Sequence, residues 1–191
     1  MRKIIFDIET QNTFEEAGSS DPADLSISVL CYYDSADDSY HSLKYDELNK
    51  FWPIAEQADL LIGYNSDHFD IPLLNKYYAG DLTKIKSLDL LSEIKKSLGR
   101  RIKMDTVAEA TLGINKSGHG LEAVAWWKSG EIDKIIKYCI DDVKITKEIY
   151  DYAMKNQCLK YKEFGEIKTI KIDTKDWETK ADSNMTFTLP F

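Results

Sequence analysis

Short apolar, β-branched runs early in this 191-residue chain, and long stretches of helical period after them, place the sequence in the α/β class. Ile4-Ile5-Phe6 opens a strand over about 3–8. A polar segment follows, with Gly18-Ser19-Ser20 and Asp21-Pro22 as turn signals. Two more strands are predicted at about 25–33 and 38–44, joined by the turn-rich Asp34-Ser35-Ala36-Asp37-Asp38. A helix over about 46–57 leads to the apolar run at 58–63, a buried strand ending at Gly63. Asn65 and Asp67 then offer helix caps, and Pro72 suits a first helical turn before Leu73, Leu74, Tyr77 and Tyr78. Helical patterns dominate from Leu88 to Ala153. After Tyr152 they weaken: 168–173 alternates like a short strand, and the remainder is rich in Lys, Asp and Thr. The expected organisation is one domain over 1–155 and a C-terminal extension over 156–191, a short strand followed by a loosely attached tail.

Acidic residues sit at chemically informative places in three of these segments. Asp7 and Glu9 end the first strand, and alternate strand residues share a face, so both project together while Phe6 and Ile8 point the other way. Two such carboxylates repel each other and are costly to desolvate, which a bound cation resolves. The alternative is a strand running out into a solvated acidic turn. From Gly130 to about Ala153, Ile132, Ile135, Ile136, Cys139, Val143 and Tyr150 recur at helical spacing and define a core stripe. At roughly 100° per residue, Tyr138 and Asp142 fall together on its margin, about 40° apart. Asp141 falls nearly opposite the stripe and is expected in solvent. Asp70 sits at or near a helix start beside a strand's carboxyl end, where it serves either as a cap or as a site residue.

Phe6-Asp7-Ile8-Glu9, Tyr64-Asn65-Ser66-Asp67-His68-Phe69-Asp70 and Tyr138-Cys139-Ile140-Asp141-Asp142 resemble the three motifs of the DEDDy group of DnaQ-like 3′–5′ exonucleases. The wording is most similar to the proofreading domains of family-B DNA polymerases. The likeness covers roughly residues 3 to 153, and the stretch from Ser87 to Trp127 resembles the region between the second and third motifs. It implies an RNase H-like fold with a mixed five-stranded sheet of order 3-2-1-4-5 and flanking helices. It also implies two divalent cations, Mg²⁺ or Mn²⁺, held by Asp7, Glu9, Asp70 and Asp142, with Tyr138 orienting the attacking water. The expected reaction is release of nucleoside 5′-monophosphates from a free 3′ end of single-stranded nucleic acid, DNA in preference to RNA, as in proofreading or DNA repair. By the same resemblance Thr10, Gln11 and Asn12 contact the terminal nucleotide. Asn65 and His68 are further substrate-side candidates, with helix capping and a plain surface histidine as their alternatives. Two other readings stand beside this one: an RNase H-type endonuclease, and a non-catalytic nucleic-acid-binding module on the same fold.

Composition bounds the rest. A hydrophobic fraction of 43% with 12% aromatics excludes a disordered chain. No run is long enough to span a membrane, and Met1-Arg2-Lys3 leads straight into a strand, so a cytoplasmic location is expected. Cys31, Cys139 and Cys158 are isolated and odd in number, which fits reduced thiols and no zinc site. The net charge of −8 predicts modest, metal-dependent affinity for nucleic acid. Basic residues gather at Lys95, Lys96, Arg100, Arg101 and Lys103, with Lys116 and His119 beyond. They read either as a phosphate-guiding rim or as a solvated helix end. Asp89 and Asp105 read as helix caps. Of Trp126 and Trp127, one is expected in the core and the other is a candidate stacking surface. The apolar tail from Thr186 to Phe191 either packs on its own domain or docks a partner protein.

Overall fold

The computed structural model describes residues 1–114 and 120–179. Lys116, His119 and the tail at 186–191 lie outside the described residues. β1 (Lys3–Thr10) is followed by the single-turn α1 (Phe14–Ala17), then by β2 (Ile27–Asp34) and β3 (Ser39–Lys44). These three strands pair antiparallel. α2 (Trp52–Glu56) leads to β4 (Leu60–Gly63), which lies parallel to β1. After α3 (Asp70–Asn75), β5 (Ser87–Asp89) adds in parallel beside β4, so the sheet order is β3-β2-β1-β4-β5, as expected. Then come α4 (Leu90–Leu98), α5 (Met104–Leu112), α6 (Gly120–Lys128) and α7 (Ile132–Asn156).

The helix expected over 46–57 is divided into a 3₁₀ segment, Tyr45–Lys50, and α2. Pro53 has no N–H to continue a preceding helix, yet fits the first turn of a new one.

The sheet is covered on both sides. Ile4, Phe6 and Ile8 pack with Phe51, Leu73 and Leu74 on one face. Ile5, Val29 and Cys31 pack with Ile135, Cys139, Val143 and Ile149 of α7 on the other. Strand alternation therefore sends Asp7 and Glu9 to the side of Ile5, beneath α7.

The segment after 156 differs from expectation. Its first part forms a hairpin, β6 (Cys158–Glu163) and β7 (Glu166–Lys171), instead of one short strand. Leu159, Tyr161, Ile170, Ile172 and Trp177 join the same core as α7. The Trp177 indole stacks on Tyr150 and its N–H donates to Glu93 at 3.3 Å. No helix of the described residues is long and apolar enough to cross a membrane.

Candidate active site

Asp7, Glu9 and Asp142 each present a carboxylate oxygen to a common point, all within 4.8 Å of one another. Asp7 and Glu9 come from the end of β1, and Asp142 comes from the second quarter of α7. Glu9 and Asp142 are buried and Asp7 is half-buried. Asp142 is 4% exposed, whereas the Asp141 side chain is 39% exposed and pairs with Lys144. The helical register thus separates the two neighbours as predicted. Three oxygen-only ligands in one partly desolvated spot form a hard donor set, suited to Mg²⁺ or Mn²⁺ and poorly suited to zinc. Cys139 lies just below, its thiol donating to the Asp7 carbonyl at 3.4 Å. Burial, with the nearby Cys31 and the Asp7 and Glu9 charges, pushes that thiol well above its ordinary range. It remains a neutral packing group.

Asp70 occupies the first turn of α3 and is buried, outside the group of three. The β1–β4 ladder ends at Ile5, and further along β1 the Ile8 N–H donates to Asp70 Oδ1 at 3.2 Å. The carboxyl therefore meets β1 between Asp7 and Glu9. It is not a side-chain cap of its helix. Burial raises its pKa to about 7, partly opposed by the Ile8 N–H.

Asp7, Glu9 and Asp142 line a cleft of about 480 Å³. Thr10, Asn12, Phe14, Tyr64, Phe69, Met104, Val124 and Tyr138 line it as well. Phe14 and Phe69 meet edge-to-face at 6.1 Å, and Trp126 meets Tyr138 edge-to-face at 5.9 Å. A cleft lined by carboxylates and aromatic rings can hold a nucleobase and a phosphate, provided cations cancel the negative charge.

Residues 4–154 match the family described as the RNase H superfamily. The chain belongs to the RNase H superfamily. A solved structure of the family B DNA polymerase from the hyperthermophilic archaeon Pyrobaculum calidifontis shares the fold, with a TM-score of 0.62 at 20% identity. The match covers 81% of this chain and 24% of that one, so the chain spans about a quarter of the polymerase. No curated protein sequence matches it.

Within this RNase H superfamily domain the remaining candidates divide. Thr10 and Asn12 line the cleft, and Asn12 Oδ1 accepts from the Ser26 N–H at 2.9 Å. Gln11 turns to β2, its amide donating to the Ile27 carbonyl at 2.7 Å, which fixes the loop. Asn65 and His68 border a neighbouring hollow with Asp67, Asp89, Lys95 and Arg101. There Arg101 donates to Asn65 Oδ1 at 2.5 Å. Asp89 caps α4 and also accepts from the Asn65 and Asp67 N–H groups, holding the turn before Asp70. Asp105 lies in the first turn of α5, whose N-cap is Lys103. Both Trp126 and Trp127 are half-buried against the core, and Trp127 packs on Tyr45. Sequence reasoning did not find Phe14, Phe69 and Met104 as cleft walls. Phe69 lies within the second motif, and that was the available signal.

Proposed function

We propose that this chain is a metal-dependent 3′–5′ exonuclease of the DEDDy type. It acts on single-stranded nucleic acid, DNA in preference to RNA, and releases nucleoside 5′-monophosphates. The observation that carries this reading is the meeting of Asp142 with Asp7 and Glu9, one helical turn from Tyr138 at the edge of the same cleft. Asp7, Glu9 and Asp142 would hold one divalent ion and Asp7 with Asp70 a second; such ions supply Lewis acidity and countercharge for phosphodiester hydrolysis. Tyr138, packed edge-to-face on Trp126 and lining the same cleft, would orient the attacking water. Phe14 and Phe69 together present an aromatic surface to the terminal base, while Thr10 and Asn12 approach its sugar. Asn65 and His68 stand on the strand's upstream side.

A ladder assay tests this reading. A 5′-labelled single strand should shorten one nucleotide at a time from its 3′ end with Mg²⁺ or Mn²⁺, and EDTA should stop it. Internal cuts in a 3′-blocked strand would assign an endonuclease instead, and binding without cleavage a non-catalytic module. Parallel DNA and RNA ladders decide between the two substrates.

A further inference from the structure

The tip of the β6–β7 hairpin carries an aromatic residue that neither its turn nor its packing explains. Phe164 and Gly165 form the two-residue loop, with φ of 51° and 85°. Positive φ at both positions marks the hairpin turn that favours Asn-Gly or Asp-Gly and disfavours a bulky side chain. No burial compensates, because Phe164 is 96% exposed and Ile167 beside it is 64% exposed.

The surroundings of this tip have the opposite charge to the molecule. The nine residues 95–103 carry five basic side chains and no acidic one, and the ribbon 158–171 carries four lysines and two glutamates. The whole chain has a net charge of −8. The two segments join: Arg100 pairs with Glu163 and lies over the Tyr161 ring at 5.3 Å, and Ser97 Oγ donates to the Lys171 carbonyl. Glu163 is shared by Arg100 and Lys168, so one carboxylate faces two cations. Such exposed pairs are weak and exchange readily for phosphates.

The ridge also reaches the cleft. Lys160 bonds Thr111 near the end of α5, Lys162 pairs with Glu109, and Glu163 meets Arg100 just before α5 begins. β6 therefore runs antiparallel to α5, and its tip is level with the turn whose Met104 lines the cleft. Between them, Arg101 holds Asn65, and the Tyr64 hydroxyl donates to the Ile102 carbonyl at 2.8 Å.

We propose that the basic segment 95–103 and the β6–β7 ribbon form a track for the single strand upstream of the cleft, with Phe164 as a base-stacking platform at the hairpin tip. This rests on the exonuclease reading and extends it from the terminal nucleotide to the strand behind it. Charge complementarity selects a polyanion as occupant. The exposed aromatic selects a single strand, whose unpaired bases offer faces for stacking.

The test separates the track from the catalytic centre by working in EDTA, where the carboxylates repel phosphate and the remaining affinity comes from the ridge. Fluorescence anisotropy would follow binding of 5′-fluorescein oligo-dT strands of about 20 and about three nucleotides. The longer strand should bind far more tightly. Phe164→Ala, which removes no buried contact, should weaken it roughly 5- to 100-fold, the scale of one stacked base. Lys95→Gln/Lys103→Gln/Lys171→Gln should flatten the slope of log affinity against log salt by about 2, at roughly 0.7 per lost phosphate contact. Wild-type affinity in both variants, or equal affinity for the two lengths, would overturn the track. So would concentration-dependent dimerisation lost in Phe164→Ala without strand binding, which gives the tip to a second copy. Strand binding with no hydrolysis under Mg²⁺ or Mn²⁺ would defeat the exonuclease reading and support the track.

Discussion

At the scale of single residues, the site depends on which carboxylates escape water. Asp142 and Asp141 are neighbours in sequence with opposite surroundings, so Asp142→Ala should remove nearly all nuclease activity and Asp141→Ala should leave it within about twofold. Equal losses in a ladder assay would refute the assigned roles. Tyr138→Phe keeps the ring packed on Trp126, so stability should change by less than about 1 kcal/mol, the scale of one hydrogen bond. Turnover should fall about 10- to 1000-fold if orienting water is worth about 1.4 to 4 kcal/mol, with metal affinity unchanged by calorimetry. Asp70 gives a pH signature. Its pKa is raised by burial to about 7, against roughly 3.9 for an unfolded aspartate. The stability it lends is full below about pH 4 and is lost as pH rises through about 7. Metal-free protein should therefore melt at a lower temperature at pH 8 than at pH 5. Asp70→Asn should flatten that part of the profile, and an unaltered profile would show that this carboxyl is not the buried acid.

At the scale of elements, close approach of β4 to the following turn positions the second motif. A Cβ on Gly63 would overlap the buried Ser66 side chain, whose own carbonyl accepts from the Ile71 N–H at 2.9 Å. Gly63→Ala should thus cost about 1–3 kcal/mol in urea unfolding, as overpacking does. It should also lower activity by moving Asp70. A second change, Ser66→Gly, should recover part of both, and no recovery would place the strain elsewhere. The same elements show what sequence could reveal. β1 and β4 were legible as short uninterrupted apolar runs and α7 by its sustained helical period, and the register of α7 alone distinguished Asp142 from Asp141. β5 was not, since its three residues run directly into the cap of α4 and read as the start of a helix. The cleft walls were equally hidden, because Phe14, Phe69 and Met104 meet only through packing of segments far apart in the chain.

At the scale of the whole molecule, the boundary expected at residue 155 conflicts with where the core ends. Periodicity weakens there because the helix stops, but burial continues through the hairpin to Trp177. That indole is 5% exposed, stacks on the fully buried Tyr150 at 5.9 Å, and reaches back to Glu93 of α4. Tyr150 in turn donates to Glu178, which also pairs with Lys3 at the start of β1. The segment therefore fastens α4, the later half of α7 and the start of β1 to one another, and its loss should appear first as instability. Trp177→Ala should lower unfolding free energy by about 3–5 kcal/mol, the usual cost of emptying a buried aromatic site. Far below its melting temperature the variant should retain near-normal turnover, since Trp177 is not among the residues lining the cleft. A chain ending at residue 155 should be more severely affected, exposing Tyr150 and the core beneath β6. Urea titration of the three proteins decides the matter: if the shortened chain unfolds at the same midpoint as the full one, the hairpin is an appendage and the domain closes at α7.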